Sequence, residues 1–234
     1  MELGTFGIWT TFRAIGEERA GAAAELVEQL GYSVFWLGGS PRLPSLRPLL
    51  EATEKLVVAT SIVNVWANDP AGLAAEYADL DRDFPGRFLV GIGIGHPEAT
   101  GDYSRPLSAM RSFLDGLDAA NPPLPRSRRC LAALAPKMLA LSAERSLGAI
   151  PYFVSAEHTK AARAQLGAGV LLAPEVAFAL DGDAERARSS ARAYARSYLG
   201  MSNYTNNLLR SGFTEEDIAE GGSDRLIRAV VPHG

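Results

Sequence analysis

Three histidines (His96, His158 and His233), one cysteine (Cys130) and a few glycine-rich or hydroxyl-bearing strings are the residues of this chain with chemistry to offer. None stands in metal-ligand spacing: neither C-x-x-C nor H-E-x-x-H occurs. No G-x-S-x-G elbow is present, which disfavours an α/β-hydrolase. The string Gly91-Ile92-Gly93-Ile94-Gly95-His96 is no dinucleotide fingerprint, because His96 and Glu98 occupy the places a third glycine would need. It is no P-loop either, since the Gly-Lys-Ser/Thr ending is missing. Small residues at a strand end let a flat ring or a phosphate come close to the backbone. Gly93 and Gly95 serve that purpose or only ease packing. His96 either donates to a ligand or sits on an exposed turn before Pro97.

Two strings open helices directly after strands, where unpaired N–H groups and the positive dipole end suit a phosphate. The first is Ala135-Pro136-Lys137-Met138, with proline at a first helical position. The second is Ser155-Ala156-Glu157-His158-Thr159, which also reads as an N-cap followed by an early carboxylate. Trp9, Trp36 and Trp66 are expected at or near strand ends, walling a ring-shaped ligand or sealing the barrel top. Tyr152 is expected in the core. Arg126-Ser127-Arg128-Arg129 reads as a solvated basic cluster.

Alternating elements must position these groups. Apolar runs are expected as strands at Leu3–Trp9, Ser33–Leu37, Leu56–Val63, Phe88–Ile94, Arg129–Leu134, Ala149–Val154 and Glu175–Leu180. Helical patterns separate them at Glu17–Leu30, Pro48–Glu54, Pro70–Arg82, Pro106–Ala119, Pro136–Leu147, Glu157–Leu166 and Asp183–Leu199. Runs that are apolar throughout suit strands buried on both faces, as in parallel sheets. Regular β-then-α alternation predicts βαβ units. Seven such units predict a single (β/α)8-type TIM barrel over residues 1–234, without the eighth strand and last helix. An insertion-like segment is expected at about 95–128. A short helical tail at about 206–234 is expected to contain helices at Leu208–Ile218 and Ser223–Val231.

The 234 residues are 47% hydrophobic and 21% charged, with a net charge of −4. That is ordinary globular composition and disfavours nucleic acid as a partner. A single cysteine fits a reducing compartment. Met1–Thr5 shows no signal-peptide pattern, and the longest apolar run, Leu56–Ala67, is too short to span a bilayer, so a cytoplasmic protein is expected.

Four strings carry a family resemblance: LGTFGIW at Leu3–Trp9, FLVGIGIGHPE at Phe88–Glu98, APKMLALS at Ala135–Ser142 and PYFVSAEHTKAARAQLG at Pro151–Gly167. In this order they resemble the luciferase-like monooxygenase superfamily, in particular its short F420-dependent oxidoreductases of actinobacterial type. The resemblance implies a TIM barrel with coenzyme F420, or alternatively FMN, across the C-terminal ends of the strands. It implies hydride transfer to or from a small organic substrate, and often a homodimer. It places a bulge with a non-proline cis peptide at Ser61–Ile62, backing the cofactor ring. It assigns cofactor contacts to Ser61 and Ile62 and to Ala135, Pro136, Lys137 and Met138. Gly93, Gly95, Glu157, His158 and Thr159 join them as candidate cofactor contacts, and Trp9, Trp36 and Trp66 as the candidate substrate pocket, from their expected places at strand ends and helix starts. His96 is the candidate catalytic group. Two departures stand out. The chain ends near where the family's last helix and eighth strand would start. Some F420 enzymes carry an Asp-His pair after the second strand, where this chain has Leu37-Gly38-Gly39-Ser40. An inactive or truncated paralogue that binds cofactor without turnover is therefore the alternative to an enzyme.

Overall fold

The computed structural model describes residues 3–101 and 103–234; Met1 and Glu2, part of the leader reading, lie outside the described residues. The chain forms two compact units. The first contains the chain up to Ile94, Ser104–Ala132 and Arg145–Leu147; the second contains Gly95–Tyr103, Ala133–Glu144 and Gly148–Gly234.

The strands of the first unit are β1 (Gly7–Thr11), β2 (Val34–Gly38), β3 (Val57–Thr60), β4 (Val63–Asn64), β5 (Phe88–Gly93) and β6 (Arg129–Leu131). All their pairings are parallel: β1 with β2, β2 with β3, both β3 and β4 with β5, and β5 with β6. Val57, Val58, Ala59, Phe88, Leu89 and Val90 are all buried, as strands covered on both faces require. The covering helices include α1 (Phe12–Ile15), α2 (Ala20–Gln29), α3 (Arg47–Glu51), α4 (Pro70–Asp83) and α5 (Pro106–Ala119). Helix α4 starts where its chemistry demands: the Asp69 side chain accepts from Gly72 N–H, and Pro70 fills the first turn. Three successive backbone N–H groups, of Glu54, Lys55 and Leu56, donate to the Glu28 carboxylate and pin the approach to β3.

Strands β3 and β4 are two pieces of one barrel strand. Ala59 pairs with Leu89 and Val63 with Ile92, so four steps on one side face three on the other. The extra residue is a β-bulge. Counted this way, the described residues make seven barrel strands with no eighth among them, and the fold is α/β of the TIM-barrel type.

The second unit holds β7 (Gly148–Ala149) and β8 (Leu171–Leu172), paired in parallel. Its helices are α6 (Pro136–Arg145), α7 (Ala156–Leu166), α8 (Ala184–Leu199), α9 (Ser202–Arg210), α10 (Glu215–Ile218) and α11 (Asp224–Val230). Its core is built from Phe153, Ala191, Ala195, Leu208, Leu226, Ile227 and Val230.

The expected strand at Glu175–Leu180 is not one. The seventh strand is β8, and 175–180 is an extended segment whose only ladder rung joins Ala179 to His233. Its alternation is inverted for a two-sided strand: Val176, Phe178 and Leu180 are exposed while Ala177 and Ala179 pack on the core. The first strand is shifted from Leu3–Trp9 to Gly7–Thr11. The expected helix Leu208–Ile218 is broken after Arg210, where Gly212 takes a φ of +90° and Phe213 turns into the core. Within the insertion-like segment, α5 belongs to the first unit and Gly95–Tyr103 to the second.

Candidate functional site

The bulge organises the top of the first unit. Thr60 is fully buried, and its hydroxyl donates to Gly91 C=O and accepts from Gly91 N–H, both at 2.9 Å. One side chain thus replaces the ladder bonds that the bulge interrupts. Thr60→Val keeps the shape and leaves both Gly91 groups unpaired on that side. A loss of about 2–3 kcal/mol is expected in urea unfolding.

The Ser61–Ile62 peptide that follows is cis. The half-buried Ile62 side chain lies on Gly93: a Cβ at Gly93 would sit 2.8 Å from Ile62 Cγ1 and 3.2 Å from the Ala132 methyl. Only glycine leaves room there, so the Ile62 side chain packs directly on the buried backbone of Gly93. Trp9 and Trp36 are register partners in mid-strand rather than at strand ends, because β1 begins four residues later than its apolar run. The Trp9 indole covers Gly38, where an added Cβ would meet Trp9 Cζ2 at 2.3 Å. Trp66 follows β4 and donates its ring N–H to Ile94 C=O at 2.7 Å, which fixes the ring.

In the second unit, Gly95 adopts φ +62° and leads into His96. The half-buried His96 ring bonds through Nδ1 to Asn203 Oδ1 at 3.0 Å and packs on Tyr204 at 5.2 Å between centroids. Since a side-chain carbonyl only accepts, Nδ1 carries the proton and Nε2 of the neutral ring is an acceptor. Nearby, Ser202 N–H donates to Glu98 at 2.8 Å and anchors the start of α9.

At α6, Ala135 C=O accepts from Met138 and Leu139 N–H; Met138 is buried, while Pro136 and Lys137 are exposed. At α7, Ser155 is the buried N-cap and accepts from His158 N–H, and Thr159 spends its hydroxyl on Ser155 C=O. Glu157 is exposed, its carboxyl held low by its own backbone N–H and by Ser155. His158 is buried, and its Nε2 lies 3.0 Å from Leu134 C=O. Pro136, Glu157 and His158 line one cavity of about 310 Å³, together with Asn207 and Arg210 of α9. Among the described residues, no cluster of three or more His, Cys, Asp or Glu could hold a metal ion.

A family model for luciferase-like monooxygenases matches residues 4–226. The chain belongs to the luciferase-like monooxygenase family. Comparison with curated proteins finds no match. Among solved structures, an F420-dependent secondary alcohol dehydrogenase is 14% identical at TM-score 0.69, covering 92% of this chain and 83% of that one. The F420-dependent tetrahydromethanopterin reductase of Methanopyrus kandleri is 15% identical at TM-score 0.68, covering 98% and 86%. The FMN-bound oxygenating component of 3,6-diketocamphane monooxygenase from a Pseudomonas putida plasmid is 12% identical at TM-score 0.63, covering 100% and 82%. These likenesses show the fold. Among the described residues of this luciferase-like protein, no helix is long and apolar enough to cross a membrane.

Sequence reading missed Asn203, Asn207 and Arg210, since polar residues on a late helix carry no motif, and His96 and Asn203 stand 107 positions apart. It also missed a phenol network. Tyr152 is half-buried rather than core, and its hydroxyl lies 2.7 Å from that of Tyr194 and 2.9 Å from that of Tyr198. Tyr194 donates in turn to Glu175 at 3.1 Å. Burial pushes the Glu175 carboxyl above its ordinary range, against the Tyr194 hydroxyl and Phe153 N–H, which stabilise its charge. A carboxyl raised in the folded state contributes stability that is full below its unfolded value, about 4.3, and is lost as pH rises through the folded value. Glu175→Gln is therefore expected to gain on the parent protein as pH rises from 4 to 8. Parallel unfolding midpoints across that range check it, and an unchanged difference would refute it.

Proposed function

We propose that this luciferase-like protein is an F420-dependent oxidoreductase that moves a hydride between the deazaflavin and a small organic substrate. The observation that carries the reading is the bulge after Thr60, where Ile62 packs directly on Gly93 and any larger side chain at 93 would displace it. The cofactor supplies the hydride chemistry, and the protein supplies orientation and the exclusion of water. In the first unit, Ser61, Ile62 and Gly93 back the ring, while Trp9, Trp36 and Trp66 bound the substrate. In the second unit, Ala135–Met138 and Glu157–Thr159 offer helix-start N–H groups to a phosphate. His96 is the proton-handling group. With Nδ1 held by Asn203, its Nε2 accepts a proton rather than giving one while the ring is neutral. The F420-dependent dehydrogenase and reductase of the same fold support the choice of cofactor.

An FMN-dependent monooxygenase is the second reading, supported by the FMN-bound diketocamphane enzyme. A cofactor-binding paralogue without turnover is the third, supported by Leu37-Gly38-Gly39-Ser40 standing after the second strand with neither Asp nor His among them. A cytoplasmic homodimer remains part of the proposal. Fluorescence titration of the purified protein with F420 and with FMN decides among them. Tight binding of F420 alone is expected, and Gly93→Val is expected to weaken it at least tenfold. Preference for FMN selects the monooxygenase. Binding without hydride exchange over a broad substrate panel selects the inactive paralogue, and binding of neither sinks all three.

A further inference from the structure

Three phenols and one carboxylate form a hydrogen-bonded chain in the second unit, and the number of hydrogens available gives the chain a direction. Tyr152 follows β7 and Glu175 follows β8, so both stand in loops beyond the C-terminal ends of neighbouring parallel strands. That is the end at which barrels of this type build their sites. Tyr194 donates to the Glu175 carboxylate at 3.1 Å. A phenol has one hydrogen to give, so Tyr152 is the donor in its 2.7 Å contact with Tyr194. With that hydrogen spent, Tyr198 is the donor in the 2.9 Å contact between Tyr198 and Tyr152. The chain thus runs from Tyr198 through Tyr152 and Tyr194 to Glu175. Phe153 holds the receiving end: it adopts φ +52°, which a bulky residue rarely takes, and its N–H donates to Glu175.

Glu175 is the member of this chain that changes charge. Burial first, and the charge of Glu175 second, push the hydroxyls of Tyr152 and Tyr194 above the ordinary phenol range, so both keep their protons. The titratable groups around the carboxyl are Tyr152 from the loop after β7, Tyr194 and Tyr198 from α8, and Tyr204 from α9. Among the described residues no charged side chain pairs with it. A protonated Glu175 has an O–H to donate. Its hydrogen goes to the Tyr194 oxygen, the Tyr194 hydrogen turns to Tyr152, and the Tyr152 hydrogen is released from Tyr194. The ionised carboxylate draws the phenols inward, and the protonated one turns the same chain outward. The outward end lies beside the candidate proton-handling histidine: His96, Tyr152 and Tyr198 all pack on the ring of Tyr204, at 5.2, 6.3 and 5.4 Å between centroids.

We propose that Glu175, Tyr194 and Tyr152 form a proton relay that stores one proton on the carboxyl and presents it at the Tyr152 hydroxyl to an oxygen of the bound substrate. In the step, the O–H bond of Tyr152 breaks as its hydrogen joins the substrate oxygen. The Tyr194 hydrogen passes to Tyr152 and the Glu175 hydrogen to Tyr194. Each electron pair stays on its oxygen, one proton leaves, and Glu175 ends as the carboxylate. The hydride that the substrate takes on carbon comes from the reduced deazaflavin or flavin of the proposed reaction. The use of the relay rests on that reading; the relay itself does not. Glu175 and Tyr194 act through Tyr152.

The test follows the carboxyl carbon of Glu175 and the Cζ carbons of the tyrosines by NMR from pH 4 to pH 9, in the full chain without cofactor. One shared midpoint above the ordinary glutamate value of about 4.3 is expected for Glu175, Tyr194 and Tyr152. The amide of Glu175→Gln has the same donors and acceptor at every pH, so that variant should lose the tyrosine inflections. Tyr194→Phe should lose that of Tyr152 while Glu175 still titrates. Tyrosine shifts that do not move with Glu175, or a Tyr152 inflection that survives Tyr194→Phe, would overturn the relay. Its use is read with reduced F420 and whichever of cyclohexanone, acetone and propanal turns over. The rate of the parent protein should fall as pH rises through the Glu175 midpoint, and Glu175→Gln should flatten that profile. Tyr152→Phe should lower kcat at least about tenfold with KM within about twofold. A parent profile flat across the midpoint, or Tyr152→Phe as fast as the parent, would overturn Tyr152 as the donor. No cofactor binding, or no turnover, counts against the hydride reading, and the shared midpoint then decides the relay alone.

Discussion

Asp118→Ala is expected to cost about 3–5 kcal/mol of stability, the range for removing one partner of a buried ion pair. Arg129 has no exposed side-chain surface, and its guanidinium reaches Asp118 at 2.6 Å. Arg145 joins from the other side at 2.9 Å. Burial alone would raise the Asp118 carboxyl, but the hydrogen bonds and charges of Arg129 and Arg145 outweigh it and hold the carboxyl low. Without Asp118, Arg129 keeps the carbonyls of Leu124 and Arg145 and loses its one charge partner among the described residues. In a protein of this size the unfolding midpoint should fall by roughly 6–20 °C. The exposed Arg126 also reaches Asp118, at 3.5 Å, and its removal should cost about 1 kcal/mol or less. Adding Arg129→Met to Asp118→Ala should restore part of the loss, because the stranded charge goes with it. Equal midpoints for the single and double variants would show that the stranded charge is not the cause. This corrects one sequence reading: Arg129 belongs to the core and not to a solvated cluster.

The second large effect is expected at Gly148. An added Cβ would lie 2.0 Å from the Leu171 carbonyl oxygen, and φ is +153°, a conformation that L side chains rarely adopt. Gly148 pairs with Leu171 in a ladder of two rungs between β7 and β8, so a shift there also strains its one neighbour, Ala149–Leu172. Gly148→Ala should cost about 4 kcal/mol or more, among the larger effects a single substitution produces. Hydrogen exchange should show the amides of 148–172 losing protection first. Gly167→Ala is the control for backbone alone: its φ is +77° but open space surrounds the added atom. It should cost about 1–2 kcal/mol.

The alternation of apolar runs and amphipathic stretches determined the α/β class, the parallel strands and most helix positions. Helix α5 matches its expected span of Pro106–Ala119 because proline sets its start and the apolar period is uninterrupted. Ser155 was legible as an N-cap because a cap is a local hydrogen bond within three residues. Strand edges were less legible, because a strand exists only where a partner answers its backbone. Val176, Phe178 and Leu180 read as a strand yet lie exposed, while the short Leu171–Leu172 stretch finds β7.

The site divides along the same line. Gly93, the Ser61–Ile62 turn and the two helix starts came from local strings and the family they resemble. Only the tertiary structure decided what each side chain meets. It set Thr60 across from Gly91, the Trp9 indole over Gly38, His96 against Asn203, and His158 beside Asn207 and Arg210. The reason is range. Capping, turn chemistry and periodicity are written within a few residues, whereas a buried polar group is answered by whatever the fold carries to it, 31 positions away for Thr60 and 107 for His96.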